Sequence, residues 1–176
     1  MASMIDPFTS EEHSGLSADS AAAETAQLHD LLPFTIGDQT FAVFTNHIET
    51  TAEARPVAPL PRSPAAVVGV VCVRGHMITV LDAVAIGTGV VTHWPDTLPF
   101  VLVLRGNEQL GLVAETCRET VTISAEDIEP AVSAGESNPT PALGTVTYAG
   151  EPMLILDAPR LFRCAVQRRE RRRRRF

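Results

Sequence analysis

Residues 69–83 read GVVCVRGHMITVLDA, and residues 144–158 repeat that pattern without a gap as GTVTYAGEPMLILDA. Glycine, valine, glycine, leucine, aspartate and alanine coincide at matched positions. A second pair supports the repeat, because residues 37–44 (GDQTFAVF) align with residues 106–113 (GNEQLGLV). The order is therefore four hairpins, arranged as two copies of one module. Each copy is too small for a large core, so we expect the copies to pack on each other and to share strands across their seam.

Each copy is predicted to be β-structure, because short apolar and β-branched runs flank turns that contain glycine. About five strands fall in each copy, the number expected for a small barrel that hides its own edges. The predicted strands cover residues 34–36, 41–44, 47–51, 67–73 and 77–81 in the first copy, and 100–104, 110–114, 117–123, 146–148 and 153–156 in the second.

The repeated Leu-Asp-Ala predicts a helix start after each hairpin. Aspartate is a good N-cap, so Asp82 is predicted to cap a short helical turn and Asp157 a short C-terminal helix. A paired acid site is the alternative interpretation, but no third partner accompanies the two aspartates. Five glycines are predicted to be structural, serving positive φ or close backbone approach: Gly69, Gly75, Gly111, Gly144 and Gly150.

Composition and charge limit the class of protein to which the chain can belong. The chain has 176 residues, 45% of them apolar, and it contains no lysine, so all 14 basic residues are arginine. Seven of these lie in the last nine residues, and the remaining body has 7 arginines against 20 acids, a net charge of −13. An acidic body argues against nucleic acid as a partner. Nothing approaches the ~18 apolar residues of a membrane span and no signal-peptide pattern opens the chain, so a cytoplasmic protein is expected.

No catalytic, metal or cofactor motif stands out. Cys72, Cys117 and Cys164 are isolated, which disfavours a zinc site or a disulfide framework. Cys72 lies in mid-strand and is expected to be a small buried residue. None of the five histidines has a metal-like neighbour two or four residues away, and neither a glycine-rich phosphate loop nor a Gly-x-Ser-x-Gly elbow occurs. The sequence therefore predicts a non-catalytic protein without a cofactor.

Several segments, in order, resemble the CheW-like domain family. Residues 63–82 (SPAAVVGVVCVRGHMITVLD) look like its signature of Pro, a short apolar turn, Gly-Val-x-Asn-Leu-Arg-Gly and a strand ending in Asp. Residues 110–119, 124–130 and 144–161 are similar to its later segments. The resemblance covers roughly residues 31–162, and it implies an all-β fold of two five-stranded SH3-like barrels packed together, with short helical turns and a short C-terminal helix.

The resemblance also implies a function. Members couple chemoreceptors to the CheA-type histidine kinase in membrane-associated receptor arrays, and they have no activity of their own. The expected partners are therefore this kinase and the cytoplasmic tip of a methyl-accepting chemoreceptor. Three alternatives stay open: a CheW-like regulatory module in a non-chemotactic system such as motility or development, a stand-alone β-barrel module with an unrelated partner, and, ranked last, a small-barrel nucleic-acid binder.

Four residues are candidates for protein binding. Arg74, in the Arg-Gly turn, is either a solvated turn arginine or an arginine at the barrel seam that orients partner contacts, and the resemblance favours the second interpretation. The resemblance likewise implies protein-binding positions at Ile48, Cys117 and Thr120.

The chain departs from the family pattern near this turn. The family's asparagine before Leu-Arg-Gly is Cys72 here. Where relatives often have an acid that pairs with the turn arginine, this chain has Thr50, although the equivalent position of the second copy is Glu119. Arg74 is therefore expected to pair with Glu49 or Glu53, or to face solvent.

Three regions are expected along the chain: a disordered lead at 1–30, a CheW-like domain at 31–163, and an arginine-rich tail at 164–176. The domain is expected to contain two barrel subdomains, roughly 31–90 and 91–163, with exchanged strands. The run Arg168 to Arg175 is expected to be disordered. Its functional alternatives are attachment to anionic lipid or an acidic protein, folding back on the acidic body, or nucleic-acid binding.

Overall fold

The fold is known from a computed structural model that describes residues 27–106, 109–131, 141–161 and 163. The arginine tail and most of the predicted lead lie outside these residues. The described strands are β1 (Leu28–Ile36), β2 (Gln39–Phe44), β3 (Ile48–Pro56), β4 (Val67–Val73), β5 (His76–Leu81), β6 (Thr97–Leu104), β7 (Leu110–Ala114), β8 (Thr116–Cys117), β9 (Val121–Ser124), β10 (Glu129–Pro130), β11 (Ala142–Tyr148) and β12 (Glu151–Leu156). Helix α1 spans Ala83–Thr88, residues 158–161 are helical, and 3-10 turns occupy Thr45–His47 and Ala125–Asp127.

Two sheets form two SH3-like barrels, which confirms the predicted fold class. The first sheet has the order β3-β6-β7-β5-β4, and we call it the central barrel. The second has the order β10-β11-β12-β2-β1-β8, with β9 also paired to β1, and we call it the terminal barrel. Each contains one parallel pairing, β5 with β7 and β12 with β2, at equivalent places. The terminal barrel therefore repeats the central one.

Strands are exchanged between the copies, so the expected boundary near residue 90 does not divide the sheets. The β1–β2 hairpin lies in the terminal barrel with strands of the second copy, and the β6–β7 hairpin lies in the central barrel with strands of the first. The core at the seam is shared, because one cluster contains Phe34 and Phe41 of the terminal barrel beside Leu102 and Leu112 of the central barrel. The division of residues 31–163 into two subdomains stays a prediction.

The terminal barrel differs from the predicted five strands. Residues 118–120 form no strand, so the single strand predicted at 117–123 is divided into β8 and β9. The two-residue β10 adds a third short piece. Strand β1 begins at Leu28, inside the predicted disordered lead, because residues 28–31 pair with β9.

The first glycine of each repeat allows a close crossing of two backbones. A Cβ atom on Gly69 would lie 2.5 Å from the carbonyl oxygen of Ala58, which bridges to β4. A Cβ atom on Gly144 would lie 2.6 Å from the carbonyl oxygen of Glu129, in β10. Since real Cβ contacts are not this short, only glycine fits at either crossing.

Asp82 caps helix α1, as predicted from the sequence. Its Oδ1 atom accepts hydrogen bonds from the backbone N–H groups of Val84 (2.8 Å) and Ala85 (3.0 Å). Its Oδ2 atom accepts a third bond from Trp94 Nε1 (2.8 Å), a partner that the sequence did not indicate. Asp157 accepts one bond from the backbone N–H of Arg160 (3.3 Å), so it too caps a helical turn.

One expectation about burial is wrong. Cys72 is exposed, whereas its neighbours Val71 and Val73 are buried at 1% and 4% exposure. Successive side chains of a strand point to opposite faces, so two inward valines place the cysteine between them outside.

Candidate functional site

The Arg74-Gly75 turn projects from the central barrel between β4 and β5. The two residues have φ values of 51° and 83°, and the equivalent Ala149-Gly150 turn of the terminal barrel has the same values. Two successive positive φ angles are typical of a type I′ hairpin turn, which favours Asn-Gly. A side chain in this conformation costs about 1–2 kcal/mol, so arginine occupies the first turn position at a conformational cost.

Arg74 borders a groove of about 360 Å³ at this end of the central barrel. Its floor is apolar, from Val73, Ile78, Val103 and Leu104, all of which are buried. Polar groups stand around it, and the lining residues beside the floor are Glu49, Thr50, Arg74, His76, Gly106 and Gln109. An apolar floor with a polar rim is the usual construction of a protein-binding pocket.

The guanidinium of Arg74 faces solvent. Within the described part of the chain it forms no ion pair, so the expected pairing with Glu49 or Glu53 is not observed. Thr50 lines the same groove but brings no charge to it. Arg74 therefore offers an unpaired cation beside an apolar surface, which is the alternative that the sequence analysis left open.

The other predicted protein-binding residues do not line this groove, although Ile48 directly precedes Glu49, which does. Ile48 and Cys117 are partly buried and pack against the core cluster that the two barrels share. Burial, and then the negative charge of Glu53, raises the pKa of the Cys117 thiol to about 11. Because the thiolate is the reactive form of cysteine, Cys117 acts here as a packing group. Thr120 is exposed in the link between β8 and β9.

Of the glycines predicted to be structural, Gly75 and Gly150 lie in the hairpin turns described above. Gly69 and Gly144 lie at the two backbone crossings. Gly111 lies in β7, where a Cβ atom would be 3.0 Å from Val101 and 3.1 Å from Ile78. The role of these glycines and of the four protein-binding candidates stays a prediction.

Sequence reasoning passed over two residues of the groove. Glu49 was considered only as a partner of Arg74, and His76 was considered only as one of five histidines without a metal-like neighbour. The repeat could have drawn attention to His76. Its equivalent in the second copy is Glu151, a charged residue that forms an ion pair with Arg118 (2.8 Å) in the terminal barrel.

The CheW-like domain family matches residues 30–165. The chain belongs to this family. The resemblance seen in the sequence is therefore confirmed.

Individual relatives agree with the family assignment. A protein described as chemotaxis protein CheW, from Rhizobium meliloti (strain 1021), is 25% identical over 135 residues, which cover 76% of this chain and 86% of the relative. Protein FrzA of Myxococcus xanthus is 30% identical over 150 residues, covering 84% and 93%. The crystal structure of scaffolding protein TtCheW from Thermoanaerobacter tengcongensis superposes with a TM-score of 0.66 at 15% identity, over 77% of this chain and 93% of that one. The last comparison concerns the fold alone.

In the part of the chain that the structure describes, no helix is long and apolar enough to cross a membrane.

Proposed function

We propose that this protein is a non-catalytic adaptor that couples chemoreceptors to a CheA-type histidine kinase in bacterial chemosensory signalling. The family match over residues 30–165 supports the adaptor class, as does the relative described as chemotaxis protein CheW, and the superposition on scaffolding protein TtCheW supports the fold. One observation carries the assignment of the site: Arg74 is held unpaired, in a costly turn conformation, at the edge of an apolar groove. A partner that pairs this cation would account for its retention.

The two partners are assigned to two surfaces. The groove beside Arg74 is the proposed kinase site. The receptor tip is proposed to bind at the seam, where Ile48 and Cys117 are partly buried, and to reach exposed Thr120 in the link between β8 and β9. Signalling through such a scaffold requires that its contacts differ between receptor states, because a ligand shifts an equilibrium only by its differential affinity.

The second candidate is a CheW-like regulatory module in another chemosensory-type pathway. The match to FrzA supports the CheW-like module under either proposal, and its identity and its coverage of both chains exceed those of the match to the Rhizobium meliloti protein. The fold and the groove are the same under either proposal, and only the identity of the kinase and receptor differs.

Binding measurements test the proposal. Calorimetry with the regulatory domain of the CheA-type kinase from the same organism should give saturable binding, and Arg74→Ala should weaken it about tenfold, the usual effect of losing a charged hydrogen bond. Arg118→Ala, which removes an exposed arginine of the terminal barrel, is the matched control and should bind as the unaltered protein does. Unchanged affinity of Arg74→Ala would remove Arg74 from the kinase interface. Binding of neither kinase nor receptor tip would reject the adaptor proposal.

The arginine tail is proposed to add attraction that is independent of sequence. Near an anionic leaflet each arginine contributes about 1 kcal/mol, so the run Arg168 to Arg175 suffices for peripheral contact with a membrane or another acidic surface. Specific recognition is assigned to the barrels, and localisation to receptor arrays is proposed to depend on the partners.

A further inference from the structure

We infer that Glu53 makes the seam between the two barrels selective for a receptor segment that presents a basic side chain beside an apolar one. This selectivity rests on the proposed function, in which the receptor tip binds at the seam, and it adds the charge of the bound segment and the residue of this chain that recognises it. Strand register, burial and the pairing of the neighbouring charges support it.

Strand pairing places Glu53 at the edge of the core that both barrels share. Glu53 of β3 lies opposite Phe100 of β6, and Phe100 lies opposite Ala114 of β7. Phe100 is partly buried and packs against the shared core cluster, whereas Glu53 is exposed. Because directly paired residues of antiparallel strands lie on the same face of a sheet, the carboxylate stands beside the partly buried aromatic ring.

Cys117 approaches the same place from the terminal barrel. It lies in β8 opposite Phe34 of β1, and it packs against the same shared cluster as Phe100. Burial raises the pKa of the Cys117 thiol, and the negative charge of Glu53 raises it further, so the carboxylate lies near the thiol. An acid of the central barrel and partly buried side chains of both barrels therefore meet at the seam.

The charge of Glu53 is not neutralised by a neighbour. Among the described residues Glu53 forms no ion pair. Arg118, the residue after Cys117, is engaged by Glu151 at 2.8 Å. Glu119 is exposed and is also unpaired within this part of the chain. The described surface on both sides of the seam therefore carries unpaired negative charge.

A segment that covers this surface must match both its apolar and its charged groups. An aliphatic or aromatic side chain removes Phe100 and Cys117 from water. Docking also removes water from Glu53, and a carboxylate that loses water without gaining a partner is costly. An arginine or lysine of the segment replaces the lost interactions, whereas an acidic residue at the same place is repelled. Glu53 therefore selects against acidic segments as well as for basic ones.

The position of Glu53 can be tested without a partner. With Cys72 and Cys164 replaced by serine, Glu53→Gln should lower the pKa of the Cys117 thiol and speed its alkylation about twofold, because a charge that disfavours the thiolate is removed. Glu126→Gln, which removes an exposed acid of the second 3-10 turn, is the matched control and should leave the rate unchanged. Equal rates in the two variants would place Glu53 away from the seam and overturn the inference.

A charge exchange between the partners tests the selectivity directly. The probe is a soluble fragment that contains the cytoplasmic tip of a methyl-accepting chemoreceptor from the same organism, titrated by calorimetry into the full chain. Glu53→Lys should weaken binding about tenfold or more, whereas Glu126→Lys, with the same change in net charge, should weaken it by no more than about twofold. Reversal of one basic residue of the fragment to glutamate should restore the affinity of Glu53→Lys to within about threefold of the unaltered pair. Equal losses in the two variants, or no restoring reversal among the basic residues of the tip, would contradict the inference.

A pair of peptides separates this inference from the proposed function. Two amphipathic helical peptides share one leucine stripe and carry either arginine or glutamine beside it, and the readout is the amide shift of Glu53 and Phe100 in NMR spectra of the full chain. We expect saturable shifts with the arginine peptide and about fivefold weaker binding of the glutamine peptide. This difference should disappear in Glu53→Gln but persist in Glu126→Gln. Equal binding of the two peptides would overturn the inference, whereas the expected preference in a protein that binds no receptor fragment would overturn only the proposed function.

Two other occupants of the seam would give different results. If truncation after Gln167 shifts the amide signals of Glu53 and Phe100 in the free protein, the chain's own arginine run pairs with Glu53 and the inference is wrong. If Glu53→Lys changes the mass measured by light scattering, a second copy occupies the seam and the inference is wrong as well. We expect neither change.

Discussion

We predict that Asp82→Ala lowers the free energy of unfolding by about 2–4 kcal/mol. The carboxylate is 1% exposed, and it accepts bonds from two backbone N–H groups of α1 and from the indole of Trp94. Loss of an N-cap costs about 0.5–2 kcal/mol. The indole N–H left without an acceptor in a partly buried site costs about 1–3 kcal/mol more.

The repeat supplies a matched control for this measurement. Asp157→Ala should cost only about 0.5–1 kcal/mol, since Asp157 accepts a single long cap bond and its 3.8 Å contact with Arg160 is exposed on the arginine side. Urea denaturation followed by circular dichroism gives both free energies of unfolding. The same readout serves for Trp94→Phe, because circular dichroism does not depend on fluorescence from the only tryptophan of the chain. In a double-mutant cycle, Asp82 and Trp94 should couple by about 1 kcal/mol. Equal destabilisation by the two aspartate variants would refute the reasoning.

Three further outcomes are expected. Gly69→Ala should destabilise the fold more than Gly75→Ala, because the first places a Cβ atom 2.5 Å from a backbone oxygen whereas the second adds only the strain of a positive φ. Thermal melts of both variants check this order. With Cys164 replaced by serine, iodoacetamide at mildly alkaline pH should modify exposed Cys72 well before Cys117, whose pKa is raised to about 11. Mass spectrometry of the digested protein measures the order of modification, and earlier modification of Cys117 would contradict the prediction. Truncation after Gln167 should leave kinase binding intact but weaken binding to anionic vesicles in a salt-dependent way; loss of kinase binding by a folded truncated protein would show that recognition was assigned to the wrong part of the chain.

The hairpins and caps could be predicted because each depends on residues that are close in sequence. A two-residue turn with glycine at its second position brings β4 against β5 without help from the rest of the chain, and the same is true of β11 and β12. Asp82 caps the helix that begins at the next residue. The order of these local signals was also enough to indicate the CheW-like family. The prediction that Cys72 is buried was wrong because it relied on the residue type. The two-residue period of β4, with Val71 and Val73 pointing inward, would have predicted an exposed Cys72.

The sequence by itself determined the two copies, their hairpin turns, their capped helical turns and the family to which they belong. Only the tertiary structure decided which hairpins share a barrel, since Phe41 of β2 meets Leu154 of β12 from the far end of the chain. The same holds for the Trp94 bond to Asp82 and for the groove, whose walls come from β3, the β4–β5 hairpin and the end of β6. The physical reason is that a local pattern specifies the conformation of a segment, whereas pairing between distant segments depends on which apolar faces the whole chain can bury together.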